Sequence, residues 1–221
     1  NFEKIYYEDM KSLHNNAVTK YARATDYIPQ IISQIKILIK KDYAYRLKDG
    51  YYFNIKKFKE YGKLSGRTIL EAEDAVTRID DSLNKKNKGD FCLWRFSKKG
   101  EPEWNSEFGK GRPGWHIEDT AITETFFGTQ YDIHGGALDL IFPHHEAEIA
   151  QMEAASNKKP FVKYWLHTGF LNIKGKKMAK SLGNFLKIRD ALEKYDYKVL
   201  RYLFLSNHYK THLDFTENML E

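Results

Sequence analysis

Lys176-Lys177-Met178-Ala179-Lys180-Ser181-Leu182-Gly183-Asn184 is the stretch on which the reading of this 221-residue chain turns. It follows Lys174-Gly175, sets Lys177 and Lys180 three residues apart, and closes through Ser181 and Gly183 before an amphipathic segment begins. Such a loop suits a polyphosphate. Two ammonium groups oppose negative charge that develops on departing oxygens, while glycines let backbone N–H groups come close to them. A lone K-x-x-K is more often a solvated basic hairpin tip, so its neighbours have to decide.

The nearest informative neighbour upstream is Phe142-Pro143-His144-His145-Glu146-Ala147-Glu148-Ile149-Ala150-Gln151. On a helix His144 and Glu148 are four apart and share a face, a workable geometry for two ligands of one metal ion. Acids favoured by a helix N-terminus, or histidines hydrogen-bonded in a packed seam, account for the same residues without a metal. No H-E-x-x-H string occurs. Further upstream, Gly111-Arg112-Pro113-Gly114 delivers Trp115-His116-Ile117-Glu118-Asp119-Thr120 into a helix expected to reach about Phe127. Tyr131-Asp132-Ile133-His134 is expected as a short strand ending at Gly135-Gly136, where backbone can approach a ligand.

The flanks supply the scaffold. Residues 1–45 are expected to be helical, with Ile28, Ile31, Ile32, Ile35, Leu38 and Ile39 forming a core face and Pro29 in a first turn. Tyr43 to Leu47 and Tyr51 to Ile55 flank Lys48-Asp49-Gly50 and predict a hairpin. Residues 60–90 lose periodicity and are expected to be a surface connection or insertion, carrying Glu71, Glu73, Asp74 and then Lys85, Lys86, Lys88. Phe91 to Phe96 is a strand candidate, His144 to Ala155 a helix with Pro143 at its first position, and Phe161 to Ile173 a buried strand. Beyond the lysine loop, helices are expected over Leu186 to Tyr195 and Val199 to Tyr209, the latter with Val199, Leu200, Leu203 and Phe204 on one side.

Composition sets looser bounds. Hydrophobic residues make up 42% and charged residues 30%, enough for a substantial core. Lys+Arg 36 against Asp+Glu 30 gives a net charge of +6, compatible with a polyanionic partner without demanding one. The single cysteine, Cys92, excludes an internal disulfide, fits a buried small hydrophobe and suits a reducing, cytoplasmic setting. No apolar run approaches the ~18 residues of a membrane span, and the N-terminus is not a signal peptide.

Lys177-Met178-Ala179-Lys180-Ser181 resembles the Lys-Met-Ser-Lys-Ser signature of class I aminoacyl-tRNA synthetases, with Ala179 where that family usually has Ser. With Gly111 to Glu118, Asp132 to Gly136 and Pro143 to Glu146 in the same order and approximate spacing, the chain is similar to cysteinyl-tRNA synthetases from roughly residue 20 to residue 215, most weakly across 60–90. The resemblance implies an α/β fold: a partial, Rossmann-like class I catalytic core over residues 1–175, with a parallel sheet flanked by helices, then a helical lysine-loop linker over 176–221. It implies ATP-dependent activation of L-cysteine, with Mg2+, and transfer to tRNA(Cys). In that scheme Lys180, aided by Lys177, stabilises the departing pyrophosphate. Ser181 joins them at the nucleotide, and His134, Gly135, Gly136, Trp115 and Glu118 line the aminoacyl-adenylate pocket.

Two departures accompany the resemblance. The family's His-Ile-Gly-His turn is absent from these residues, so the chain is expected to be the back half of a catalytic domain. The family also holds zinc through a front-half cysteine, a cysteine after Trp-His-Ile-Glu, and the residues matching His144 and Glu148; here the second cysteine is Asp119. Asp119 either keeps the charge as a harder oxygen ligand or hydrogen-bonds a helix N–H or a histidine beside an empty site. His116 and His145 carry no assigned role. A ligase joining cysteine to an amino sugar shares these motifs, and a non-catalytic fragment of synthetase origin is the reading from a different class.

Overall fold

The computed structural model describes residues 1–68 and 84–216. Contacts divide the described residues into two compact units, one drawn from Asn1–Tyr21, Gly135–Leu138 and Leu166–Glu221, the other from Ala22–His134 and Asp139–Trp165.

In the first unit, helix α1 (Phe2–Ser12) buries none of its residues. It ends where His14 takes φ 54°, so residues 1–45 are not helical throughout: irregular chain and a short 3-10 turn, Ala24–Asp26, intervene. In the second unit, α2 (Ile28–Lys40) begins with Pro29 in its first turn and buries Ile28, Ile31, Ile35 and Leu38 as the periodicity requires. Gln34 is buried on that helix as well, a polar residue the apolar stripe did not announce.

Strands β1 (Ala44–Leu47), β2 (Gly50–Phe53), β3 (Phe91–Phe96) and β4 (Gly111–Pro113) form an antiparallel sheet in that order. The expected hairpin pairs Leu47 with Gly50 across Lys48-Asp49, and Phe53 stacks on Phe91 at 4.9 Å. Cys92 is buried in β3. Gly114 ends the turn after β4 for a steric reason: a Cβ there would stand 1.8 Å from the Cys92 carbonyl oxygen.

Residues 69–83 of the aperiodic segment, with Glu71, Glu73 and Asp74, lie outside the described residues. Its flanks correct the expectation of a surface connection, because Tyr61 and Asp90 are buried. Two carboxylates organise them. Glu146 accepts the backbone N–H groups of Gly62 (3.0 Å), Leu64 (2.6 Å) and Ser65 (2.6 Å). Asp90 accepts from Tyr45 Oη (2.6 Å), Ile55 N (2.9 Å) and Asn87 N (3.0 Å).

Helix α3 (Ile117–Phe127) and helix α4 (Glu146–Ser156) pack with α2 around the core. The helix expected from His144 is present, but it is entered through a wider π turn, Ile141–His145, and is regular α-helix only from Glu146. Phe142, restricted by the following proline, is extended at φ −135° and ψ 131°, so Pro143, His144 and His145 sit in a wide turn before α4.

Strand β5 (Tyr131–Ala137) does not stop at Gly135 but runs through both glycines, paired with β6 (Val162–Thr168). The expected buried strand over 161–173 divides into β6 and β7 (Leu171–Ile173). β6 is largely exposed because a two-stranded sheet leaves much of its surface uncovered: Tyr164 is 66% and Leu166 40% exposed. β7 pairs with β8 (Lys176–Lys177) antiparallel and with β9 (Leu213–Phe215) parallel, the one parallel pairing whose register is defined among the described residues. Helices α5 (Ile188–Leu192) and α6 (Tyr197–Leu205) follow the lysine loop. Leu200 and Leu203 are buried as expected, whereas Phe204 is 51% exposed.

Candidate functional site

A buried polar seam in the second unit sets the site. Thr120 Oγ1 donates to Gln34 Oε1 (2.6 Å), Gln34 Nε2 donates to Glu124 Oε2 (2.9 Å), and Gln151 Nε2 donates to the His116 carbonyl (2.9 Å). These bonds tie α2, α3 and α4 together and fix the first turn of α3, where Glu118 and Asp119 stand. The wide turn before α4 then brings His144 to meet them.

His144 Nε2 lies 3.0 Å from Asp119 Oδ2 and 3.0 Å from Glu148 Oε1. Glu148 is fully buried, and neither of its carboxylate oxygens makes a hydrogen bond of good geometry. One imidazole nitrogen therefore faces two carboxylates, and a buried carboxylate left so is costly unless a cation compensates it. The donor atoms of Asp119, His144 and Glu148 lie within 4.8 Å of one another, as do those of His134, His145 and Glu148. His134 Nε2 is 3.5 Å from Glu148 Oε2, and its Nδ1 is hydrogen-bonded to Tyr131 Oη. The first set, one nitrogen and two carboxylates, can hold a divalent cation with a position left open.

The surroundings polarise these groups. Burial pushes the Glu148 carboxyl up to about 7, with Asp119 adding to the rise and His144 opposing it. Burial pulls His144 down, but the Asp119 and Glu148 carboxylates close beside it outweigh burial and carry the ring up to about 9. Burial, then repulsion from Asp119, lifts Glu118 to about 7. His116 is pulled down to about 3 by burial beside His144 and His145, so its ring is neutral. His116 Nδ1 and His144 Nδ1 are 2.7 Å apart; one donates to the other, which fixes the orientation of His144.

Trp115, 45% exposed, lies beside the His144 ring at 4.8 Å. Trp115, Asp119, His134, His144 and Glu148 thus come together in one unit. His116 and His145, for which the sequence suggested nothing, belong to the same cluster: His145 packs against His134 at 4.8 Å and Trp165 at 4.9 Å. Paired histidines at a helix entry were the available signal.

The lysine loop belongs to the first unit. Lys177 is exposed in β8, and Lys180 and Ser181 enter a short 3-10 turn, Lys180–Leu182. Asn184 closes the loop: its Oδ1 accepts the Ala179 N–H (3.0 Å) and its Nδ2 donates to the Lys177 carbonyl (3.2 Å). Gly135 and Gly136 also fall in this unit. A Cβ on Gly135 would meet only ordinary contact with the Leu166 carbonyl at 3.7 Å, so packing does not require glycine there.

Mixed sheets, helices and a lysine loop of this kind define a class of fold. Over 98% of its length the chain superposes on 53% of Mycobacterium tuberculosis methionyl-tRNA synthetase in complex with methionyl-adenylate, with a TM-score of 0.70 at 15% identity. The architecture is that of a class I aminoacyl-tRNA synthetase core. More narrowly, the chain belongs to the class I (C) tRNA synthetase catalytic domain family, whose model matches residues 1–221. It is 52% identical over 222 residues to a cysteine--tRNA ligase of Thermoplasma volcanium, covering 99% of this chain and 49% of that protein. It is 50% identical to that of Thermococcus kodakarensis, covering 100% of this chain and 46% of that protein. The chain spans about half the length of the curated relatives it matches.

Proposed function

We propose that the whole protein activates L-cysteine with ATP, with Mg2+ on the nucleotide, and transfers it to tRNA(Cys). The observation that carries this reading is the match of nearly the whole chain to relatives named cysteine--tRNA ligase. Residues 1–175 are assigned to the partial catalytic domain and 176–221 to the lysine-loop linker. Lys180, aided by Lys177, opposes the charge that builds on pyrophosphate as it leaves, an electrostatic role that needs no covalent intermediate. Ser181 faces the same nucleotide. Trp115, Glu118, His134, Gly135 and Gly136 line the aminoacyl-adenylate pocket, where the exposed Trp115 ring offers an apolar wall.

Asp119, His144 and Glu148 would hold zinc, and the buried carboxylate of Glu148, without a good hydrogen bond, supports that fit. Zinc bound there supplies a Lewis acid that prefers sulfur. Such a preference matters because cysteine and serine differ by one atom, and apolar contacts separate near-isosteres poorly. No helix of the described residues is long and apolar enough to cross a membrane, and a cytoplasmic setting is proposed.

The test is cysteine-dependent ATP–pyrophosphate exchange by the full-length protein. Lys180→Ala lowers it by about two to three orders of magnitude, the loss typical of removing one preorganised charge-stabilising donor, and Lys177→Ala costs less. Exchange within a few-fold of wild type for Lys180→Ala overturns the assignment. Discharge of the adenylate on adding tRNA(Cys) separates this activity from transfer to an amino sugar.

A further inference from the structure

Lys177 is exposed, yet its side chain has a place. Its Nζ lies 3.9 Å from the centroid of the Phe170 ring, close enough for the negative face of the ring to attract the ammonium. That ring is itself held. The Phe170 N–H donates to His212 Nδ1 at 2.9 Å, and the two rings stack at 5.2 Å with an interplanar angle of 9°. The stack follows from the parallel pairing of β7 with β9: Leu171 stands opposite Leu213, which puts Phe170 and His212 side by side one residue earlier. Further along the same pair, both carboxylate oxygens of Asp214 lie 2.9 Å from the Gly175 N–H and accept it at the turn into β8. Asn184 holds the Lys177 carbonyl. Backbone and side chain of Lys177 are therefore fixed from different directions, by residues on β9, on the loop and just before β7.

We propose that Phe170 is a positioning residue for Lys177. The ring face keeps the ammonium of a long, flexible side chain in a restricted place before a polyphosphate arrives, and His212 fixes the ring. An aliphatic residue at 170 would fill similar space but offer no negative face. Phe170 makes no contact with the reacting atoms in this scheme; it acts through Lys177, and the inference rests on the proposed role of Lys177 at the nucleotide.

The experiment uses the full-length protein and cysteine-dependent ATP–pyrophosphate exchange, with kcat and KM for ATP measured separately. Phe170→Leu lowers kcat/KM for ATP about three- to tenfold, and Phe170→Tyr retains most of it. Replacing Phe170 with mono-, di- and trifluorinated phenylalanine, which keeps the shape and weakens the ring face stepwise, lowers the value in graded order. In a Lys177→Ala background, Phe170→Leu costs nothing further, because the partner is gone. A flat fluorination series, or a Phe170→Leu loss undiminished without Lys177, overturns the inference alone and shows a merely structural ring. An unaffected Lys177→Ala variant overturns the role of Lys177 and the inference with it.

Discussion

Asp119 presents an oxygen to His144 where a thiolate would be the softer and tighter zinc donor, so the proposed metal site is most sensitive at this one residue. In the full-length protein Asp119→Cys is expected to slow zinc loss to a chelator, measured as metal retained per chain; equal retention by both forms removes Asp119 from the ligand set. The proton balance gives a second expectation. His144 is carried up to about 9 and Glu148 up to about 7, so around neutral pH a cation has to displace protons from its ligands. Raised values mean that protonation wins as pH falls, and zinc retention by the wild type should weaken between pH 8 and pH 6. Retention that is flat over that range would mean the cation does not compete at these groups. The pairing of His144 with Glu148 was legible from their spacing of four, and Asp119 from its place after Trp-His-Ile-Glu. Their convergence was implied by the resemblance alone and not by the residue pattern, because it depends on the Gln34–Thr120–Gln151 seam and on the His116–His144 contact between separate elements.

At the scale of elements, Glu146 links the start of α4 to the chain around Gly62 to Ser65 through three backbone N–H groups. Glu146→Gln keeps the shape but turns one acceptor into a donor that faces an N–H. The cost expected is that of an unsatisfied buried group, about 1–3 kcal/mol, seen as a lower denaturation midpoint of the full-length protein. A midpoint unchanged within error would show that water or a shifted backbone satisfies those N–H groups. Elements with a strong periodic or turn signal were legible: the α2 face, the Asp49-Gly50 hairpin and β3. Elements that depend on distant partners were not. The glycines inside β5 are extended because β6 pairs with that strand, and α4 is entered through a wider helical turn, Ile141–His145, that breaks at Phe142. Gly114 shows the limit well. Its motif marked a turn into α3, but not that the Cys92 carbonyl excludes a side chain there.

For the molecule as a whole, hydrophobic pattern gave only separate helices and strands, and it was the ordered set of motifs that pointed to the α/β synthetase core. The resemblance implied a parallel sheet, whereas β1-β2-β3-β4 pair antiparallel, an order that joins residues as far apart as Tyr52 and Cys92. Charge is the property that belongs to this scale. The chain carries a net +6, and in the proposed reaction its two steps differ in how much polyanion they engage. Exchange of ATP and pyrophosphate involves small anions held by local lysines, whereas transfer requires a long RNA backbone whose bound counterions are released on contact. Each phosphate neutralised adds to the salt slope, by about 0.9 for duplex and about 0.7 for single strands. Raising salt from 50 to 200 mM is therefore expected to raise KM for tRNA(Cys) steeply while altering cysteine-dependent exchange only modestly, with both measured on the full-length protein. Parallel salt dependence of the two steps would mean that tRNA is held mainly by contacts other than basic side chains on phosphates, and the net charge of this chain would then have no part in recognising it.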